Sequence, residues 1–148
     1  LFGNGNCVAD IFRSMFGDKK VETSNNGPTL FQTLDSSKLV IANYPQTSFS
    51  ECLFLNIPTI LISNQRVWQF EKKSRECFLE LKKNKMAFEN FRDAEKHIKK
   101  IWHDPNSWWQ NKNIQKTRQK YLNMFFPAKK KWYDDWSIFL SNVQKKYD

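Results

Sequence analysis

One short stretch carries the groups best suited to chemistry: Gln46-Thr47-Ser48, with Glu51 three residues on. An amide and two hydroxyls are donors for anionic oxygens, and a carboxylate accepts two hydrogen bonds from a diol. If these residues open a helix, its free backbone N–H groups and partial positive charge add a natural seat for a phosphate. A second reading uses the same residues without a ligand. Ser48 would be the helix N-cap and Glu51 its capping-box partner, in the pattern S-x-x-E. For Ser48 the two readings are compatible, because a capping hydroxyl can still face a ligand. Glu51 is harder to share between them.

Other polar candidates are weaker. His97 and His103 are six residues apart and lack Cys or acids at ligand spacing, so they make no metal site. His97 reads as a partly exposed helix residue and His103 as a helix-end residue. Asp134-Asp135 falls in the first turn of a last helix, where acids favour the helix dipole. Residue order alone identifies no Ser-His-Asp or Cys-His nucleophile. Cys7, Cys52 and Cys77 are odd in number and widely spaced. With no C-x-x-C among them, they read as reduced thiols of a cytosolic protein.

The elements around the stretch follow from period and punctuation. Leu39-Val40-Ile41-Ala42 is an apolar run without alternation, as expected of a strand buried on both faces. Asn43-Tyr44-Pro45-Gln46 breaks it, a helix runs from Thr47 to Asn56, and Pro58 precedes a second buried strand, Thr59-Ile60-Leu61-Ile62. Strand, loop, helix and strand fit within 24 residues, a βαβ unit whose crossover should be right-handed. In an open parallel sheet, ligands bind beyond the carboxyl ends of strands, which is where Asn43 to Thr47 falls.

Before this unit, Phe2 to Asn6 reads as a loop and Val8 to Phe16 as a helix ended by Gly17. Lys20 to Thr23 reads as a short strand, Ser24 to Pro28 as a loop and Thr29 to Leu34 as a short helix. After it come a helix over 74–83 and a short edge strand at Met86-Ala87-Phe88. A helix capped by Asn90 follows and stops at Asp104-Pro105. One helix then spans Ser107 to Phe125, and a last one has an apolar face of Trp132, Trp136, Phe139, Leu140 and Val143. The organisation is α/β over 1–105, with a helical C-terminal extension, 106–148, packing on it.

Length and composition set the outer limits. The 148 residues allow one ordinary domain with a real core, and 40% hydrophobic content excludes a disordered chain. No apolar run approaches a membrane span and no signal peptide is visible. The net charge of +9 is uneven. Residues 1–65 hold four bases against five acids, a net of −1, and residues 66–148 hold 20 against ten, a net of +10. Attraction to phosphate and plain solvated lysine faces both fit. Basic charge with interleaved aromatics is also a nucleic-acid footprint, but no nucleic-acid motif supports it, and no such partner is expected.

Three segments carry a family resemblance: Ser37-Lys38-Leu39-Val40-Ile41, Thr47-Ser48-Phe49-Ser50-Glu51-Cys52-Leu53 and Asn56-Ile57-Pro58-Thr59-Ile60. They resemble the C-terminal half of GT-B glycosyltransferases. Within that fold the chain is similar to surface-carbohydrate transferases of bacterial lipopolysaccharide and capsule loci. The likeness extends to a Trp-containing loop at 64–70, to Ile101-Trp102-His103-Asp104 and to Ser107-Trp108-Trp109. It covers about Leu30 to Leu140.

The resemblance implies a Rossmann-like, donor-binding half of a GT-B enzyme that transfers a sugar from a nucleotide-sugar to a glycan or lipid-linked acceptor. Gln46, Thr47 and Ser48 would meet the donor phosphates and Glu51 the ribose hydroxyls. No cofactor is expected beyond the donor itself, and the catalytic base would lie on an N-terminal half. A chain opening at Leu1 then reads as about half of an active site, inactive alone. Two features depart from the pattern. Asn43 stands where many such enzymes carry a second acid, which puts retaining chemistry of the E-x7-E type in doubt. Tyr44-Pro45-Gln46 replaces the glycine-rich loop, so a phosphate contact must lean on side chains. Polyol-phosphate transferases of teichoic-acid type have a similar strand, loop and helix and remain an alternative. Trp108-Trp109 and Lys129-Lys130-Lys131-Trp132 suit peripheral contact with a membrane at its cytoplasmic face.

Overall fold

The computed structural model describes residues 7–20, 30–64, 71–127 and 132–147. The expected loops at 2–6 and 24–28, the strand residues 21–23, the Trp loop at 65–70 and the lysines at 129–131 lie outside them. The chain forms two compact units, Leu1–Ser37 and Lys38–Asp148.

The first unit holds helix α1 (Cys7–Phe16), a short 3-10 turn at Asp18–Lys20 and helix α2 (Leu30–Asp35). Gly17 ends α1 in the left-handed region at φ 85°, its N–H bonded to the carbonyl of Arg13 at 2.8 Å. Lys20 is thus part of a 3-10 turn and not of a strand.

The second unit is built on three parallel strands, β1 (Val40–Ala42), β2 (Thr59–Ile62) and β3 (Ala87–Phe88), in the order β1-β2-β3. Val40 pairs with Thr59 and Leu61 with Ala87. Helix α3 (Thr47–Phe54) joins β1 to β2, and α4 (Lys72–Lys83) lies between β2 and β3. Next come α5 (Phe91–Ile101), α6 (Pro105–Trp109), α7 (Lys112–Phe125) and α8 (Trp132–Tyr147). This is a mixed α/β fold with a Rossmann-like parallel sheet.

β2 is the central strand and is buried throughout, so an unbroken apolar run suits it. Its side chains alternate between faces. Leu61 joins Phe49, Leu53, Phe78, Leu81, Trp109 and Tyr121 in one core cluster, supplied by α3, α4, α6 and α7. Ile60 and Ile62 join Phe88, Ala94 and Ile101 of α5 in another. Each such side chain contributes about 1.5–3 kcal/mol when fully buried. β1 departs from the expectation of two buried faces: Ile41 is 53% exposed, because β2 is the only strand beside it among the described residues.

The single helix expected over Ser107 to Phe125 is two. Asp104 caps α6 by accepting from the Ser107 N–H at 3.0 Å, with Pro105 in its first turn. Asn111 then caps α7 by accepting from the Asn113 N–H at 2.9 Å. Two side chains of the right type compete successfully with helix continuation between them. The Asn90 cap is present, its Oδ1 accepting from the Asp93 N–H at 2.9 Å. α8 keeps Trp136, Phe139 and Leu140 more than half exposed. Among the described residues no helix is long and apolar enough to cross a membrane.

The buried thiols give the fold a measurable alkaline limit. Burial pushes the Cys77 thiol up from about 9 to about 11 and also raises Cys52 and the phenol of Tyr121. The folded chain holds protons there that the unfolded chain releases, so stability is full below the unfolded value and falls as pH rises. Urea midpoints should decline between about pH 9 and 11, and Cys77→Val should flatten that decline. Thiol reagents near neutral pH should leave Cys52 and Cys77 unmodified until the chain unfolds.

Candidate functional site

The candidate site is built at the carboxyl end of β1. Bends at 43–46 carry the chain from Ala42 into α3. Gln46 is the N-cap, in extended backbone at φ −115° and ψ −161°. Its carbonyl accepts the Ser50 N–H at 3.1 Å, but its side chain makes no capping hydrogen bond. Thr47 and Ser48 are therefore the first two helical residues. The Ser48–Glu51 capping box does not form, because Ser48 lies inside the helix, two residues past the cap position at Gln46. The first backbone N–H groups of α3 are left without a side-chain cap.

Helical geometry brings the four expected residues to one end of α3. Thr47 and Ser48 are four and three residues from Glu51, so they share a face. Gln46, Thr47 and Ser48 are exposed and Glu51 is half-buried. The opposite face, Phe49, Ser50, Cys52 and Leu53, is buried. Polar groups thus stand in front and apolar ones behind. An anion at this end would meet the helix dipole, free N–H groups and two hydroxyls.

Sequence reasoning missed Ser63. It lies just past the carboxyl end of β2, one strand over from the loop. Its N–H donates to the Phe88 carbonyl at 2.9 Å, while its Oγ is buried and unpartnered among the described residues. Only the register of the strand singles out this serine.

The supports of α3 were also missed. Asn56 closes the helix in the left-handed region at φ 59°. Its carbonyl and its Oδ1 both accept from the indole N–H of Trp109, at 3.0 and 2.9 Å. Trp109 is fully buried, so it is core and not a membrane contact; Trp108 is half-buried against it, ring centroids 5.5 Å apart. Arg118 donates to the Leu53 carbonyl at 2.7 Å, covering the end of α3. Tyr121 and Ser50 hydroxyls meet at 3.3 Å behind it.

The histidines lie away from this end of α3. His97 is half-buried between the rings of Phe88 and Trp108, at 5.4 and 5.2 Å. Burial, then the charges of Lys85 and Lys100, hold it below its ordinary value. His103 is exposed and its carbonyl accepts from Lys38 Nζ at 3.1 Å.

A parallel sheet and a strand-loop-helix crossover define a Rossmann-like α/β protein. The chain belongs to the LIC12162 family of transferases, whose family model matches residues 3–140. No curated protein and no solved structure matches it.

The Trp109–Asn56 pair yields a graded test. Trp109→Phe removes the donor that two acceptors share and should cost about 2–4 kcal/mol in urea unfolding. Asn56→Ala loses one acceptor and must hold a left-handed backbone, and should cost about 1–3 kcal/mol. Asn56→Gly relieves the backbone term and should cost less than Asn56→Ala. Equal losses for the two Asn56 variants would remove the left-handed backbone from the account.

Proposed function

We propose that this chain is the donor-binding half of a GT-B-type sugar transferase that uses a nucleotide-sugar. The observation that carries the reading is the start of α3. It stands uncapped and exposed at the carboxyl end of a parallel strand, with Thr47, Ser48 and Glu51 on its free face. Membership in a transferase family supports group transfer as the reaction class.

In this reading the donor diphosphate sits at the start of α3. Backbone N–H groups of the first turn and the hydroxyls of Thr47 and Ser48 donate to its oxygens, and the Gln46 amide adds a flexible donor. Glu51 accepts two hydrogen bonds from the ribose diol one turn further along. The bond that breaks joins the anomeric carbon to the leaving phosphate oxygen. Charge growing on that oxygen is met by the helix start, which is fixed before the reaction and needs little reorganisation. The acceptor, a surface glycan or a lipid-linked one, and the base that takes its proton would come from an N-terminal half.

Calorimetric titration of the chain with CMP-, UDP- and GDP-activated sugars tests this. One donor class should bind weakly, without turnover. Glu51→Gln should weaken that binding about tenfold, roughly the value of one charged hydrogen bond, and move the melting temperature by no more than about 2 °C. A folded chain that binds no donor would sink the reading. A variant that mainly lowers the melting temperature would make Glu51 structural.

A further inference from the structure

A second cavity, of about 330 Å³, opens at the other edge of the sheet, between the end of α4, strand β3 and the outer face of α5. Four lysines line it: Lys82, Lys85, Lys96 and Lys100. Its two acids are already engaged. Glu89 pairs with Lys82 at 2.8 Å, and Asp93 accepts from the Asn90 amide at 2.9 Å. Lys85, Lys96 and Lys100 have no ion pair among the described residues. Lys96 and Lys100 are one turn apart on α5, where like charges oppose each other.

Two further residues of the lining are distinctive. Lys85 holds a left-handed backbone at φ 59° just after α4, a position that glycine fills at less expense. His97, also in the lining, has a buried Nε2 with no hydrogen-bond partner among the described residues. Four lysines against two engaged acids give the cavity a positively charged lining.

We propose that this cavity binds a ligand bearing a phosphate monoester, with Lys85, Lys96 and Lys100 as its cationic contacts. The size suits one small ligand group, and the charged part of the lining is mostly cationic. Three partnerless ammonium groups match a dianion, and the amide of Asn90 at the rim adds a neutral donor. The site is separate from the start of α3 and stands whether or not that end holds a nucleotide.

His97 makes the test specific. Side-chain NMR of the full chain, titrated with inorganic phosphate, should show the His97 titration moving upward as the lysine charges are neutralised. Lys96→Gln with Lys100→Gln should weaken phosphate binding about tenfold or more. Lys85→Gly should weaken it too while leaving the melting temperature equal or higher, which separates loss of the site from loss of the fold. Vesicles of phosphatidylcholine with phosphatidic acid form a second arm. Vesicle binding that the lysine variants abolish identifies a lipid headgroup as the source, and response to free phosphate alone identifies a soluble ester. A His97 signal that neither probe moves, or phosphate binding indifferent to the three lysines, overturns the proposal.

Discussion

The indole N–H of Trp109 holds the α3–β2 turn, and the candidate site depends on that turn. Its donor is shared by the backbone carbonyl and the side-chain oxygen of one residue, Asn56. Asn56 sits where α3 must stop and the chain must reverse into β2 within three residues. Glycine would satisfy the left-handed backbone but could not offer the second acceptor. Asparagine tolerates the conformation and keeps a side chain to bind. Because Trp109 is fully buried, its N–H has no water to fall back on, and leaving it unmade costs about 1–3 kcal/mol. A single buried donor therefore fixes where α3 ends relative to the strand that follows.

The rest of α3 is fastened from the same side. Arg118 takes the Leu53 carbonyl, Tyr121 meets Ser50, and Phe49 packs edge-on against Tyr121 at 5.3 Å. Every one of these contacts reaches the buried face. The other face carries Thr47, Ser48 and Glu51 and is left free of such ties. A helix held rigidly from behind presents its first N–H groups at a constant position, which transfer chemistry needs when charge develops on a leaving oxygen. α6 and α7 are in this sense parts of the site, although none of their side chains stands at it.

The sequence made the sheet legible and hid what holds it. Thr59 to Ile62 reads correctly as a buried strand because every residue of a central parallel strand is apolar or small. Asn90 reads correctly as a cap because the cap is local chemistry. Ile41 looked the same as Ile60 in the sequence, and only sheet order separates an edge strand from a central one. The S-x-x-E pattern at Ser48 was genuine as a pattern but displaced by two residues from the real cap: after Pro45 the helix starts at Thr47, and Gln46 takes the cap. The Trp108-Trp109 pair beside charged residues suggested an interface, but the indole of Trp109 is spent on Asn56, 53 residues away. Contacts of that span are set by tertiary packing and leave no local periodicity to read.

Charge distribution takes on a geometric meaning once the strand order is known. The nearly neutral part of the sequence supplies β1 and the start of α3, and the basic part supplies β3 and the lysines beyond it. In sequence these are separate regions. In the sheet they are two strands apart, about 10 Å at ordinary strand spacing. That is close to the screening length of roughly 8 Å at physiological ionic strength. The lysines beyond β3 and the start of α3 thus lie on either side of β2 in one sheet. The uncapped start of α3 supplies direction and hydrogen bonds with little net charge of its own. The basic residues lie at the opposite edge, so the charge and the helix start fall in two different parts of one sheet.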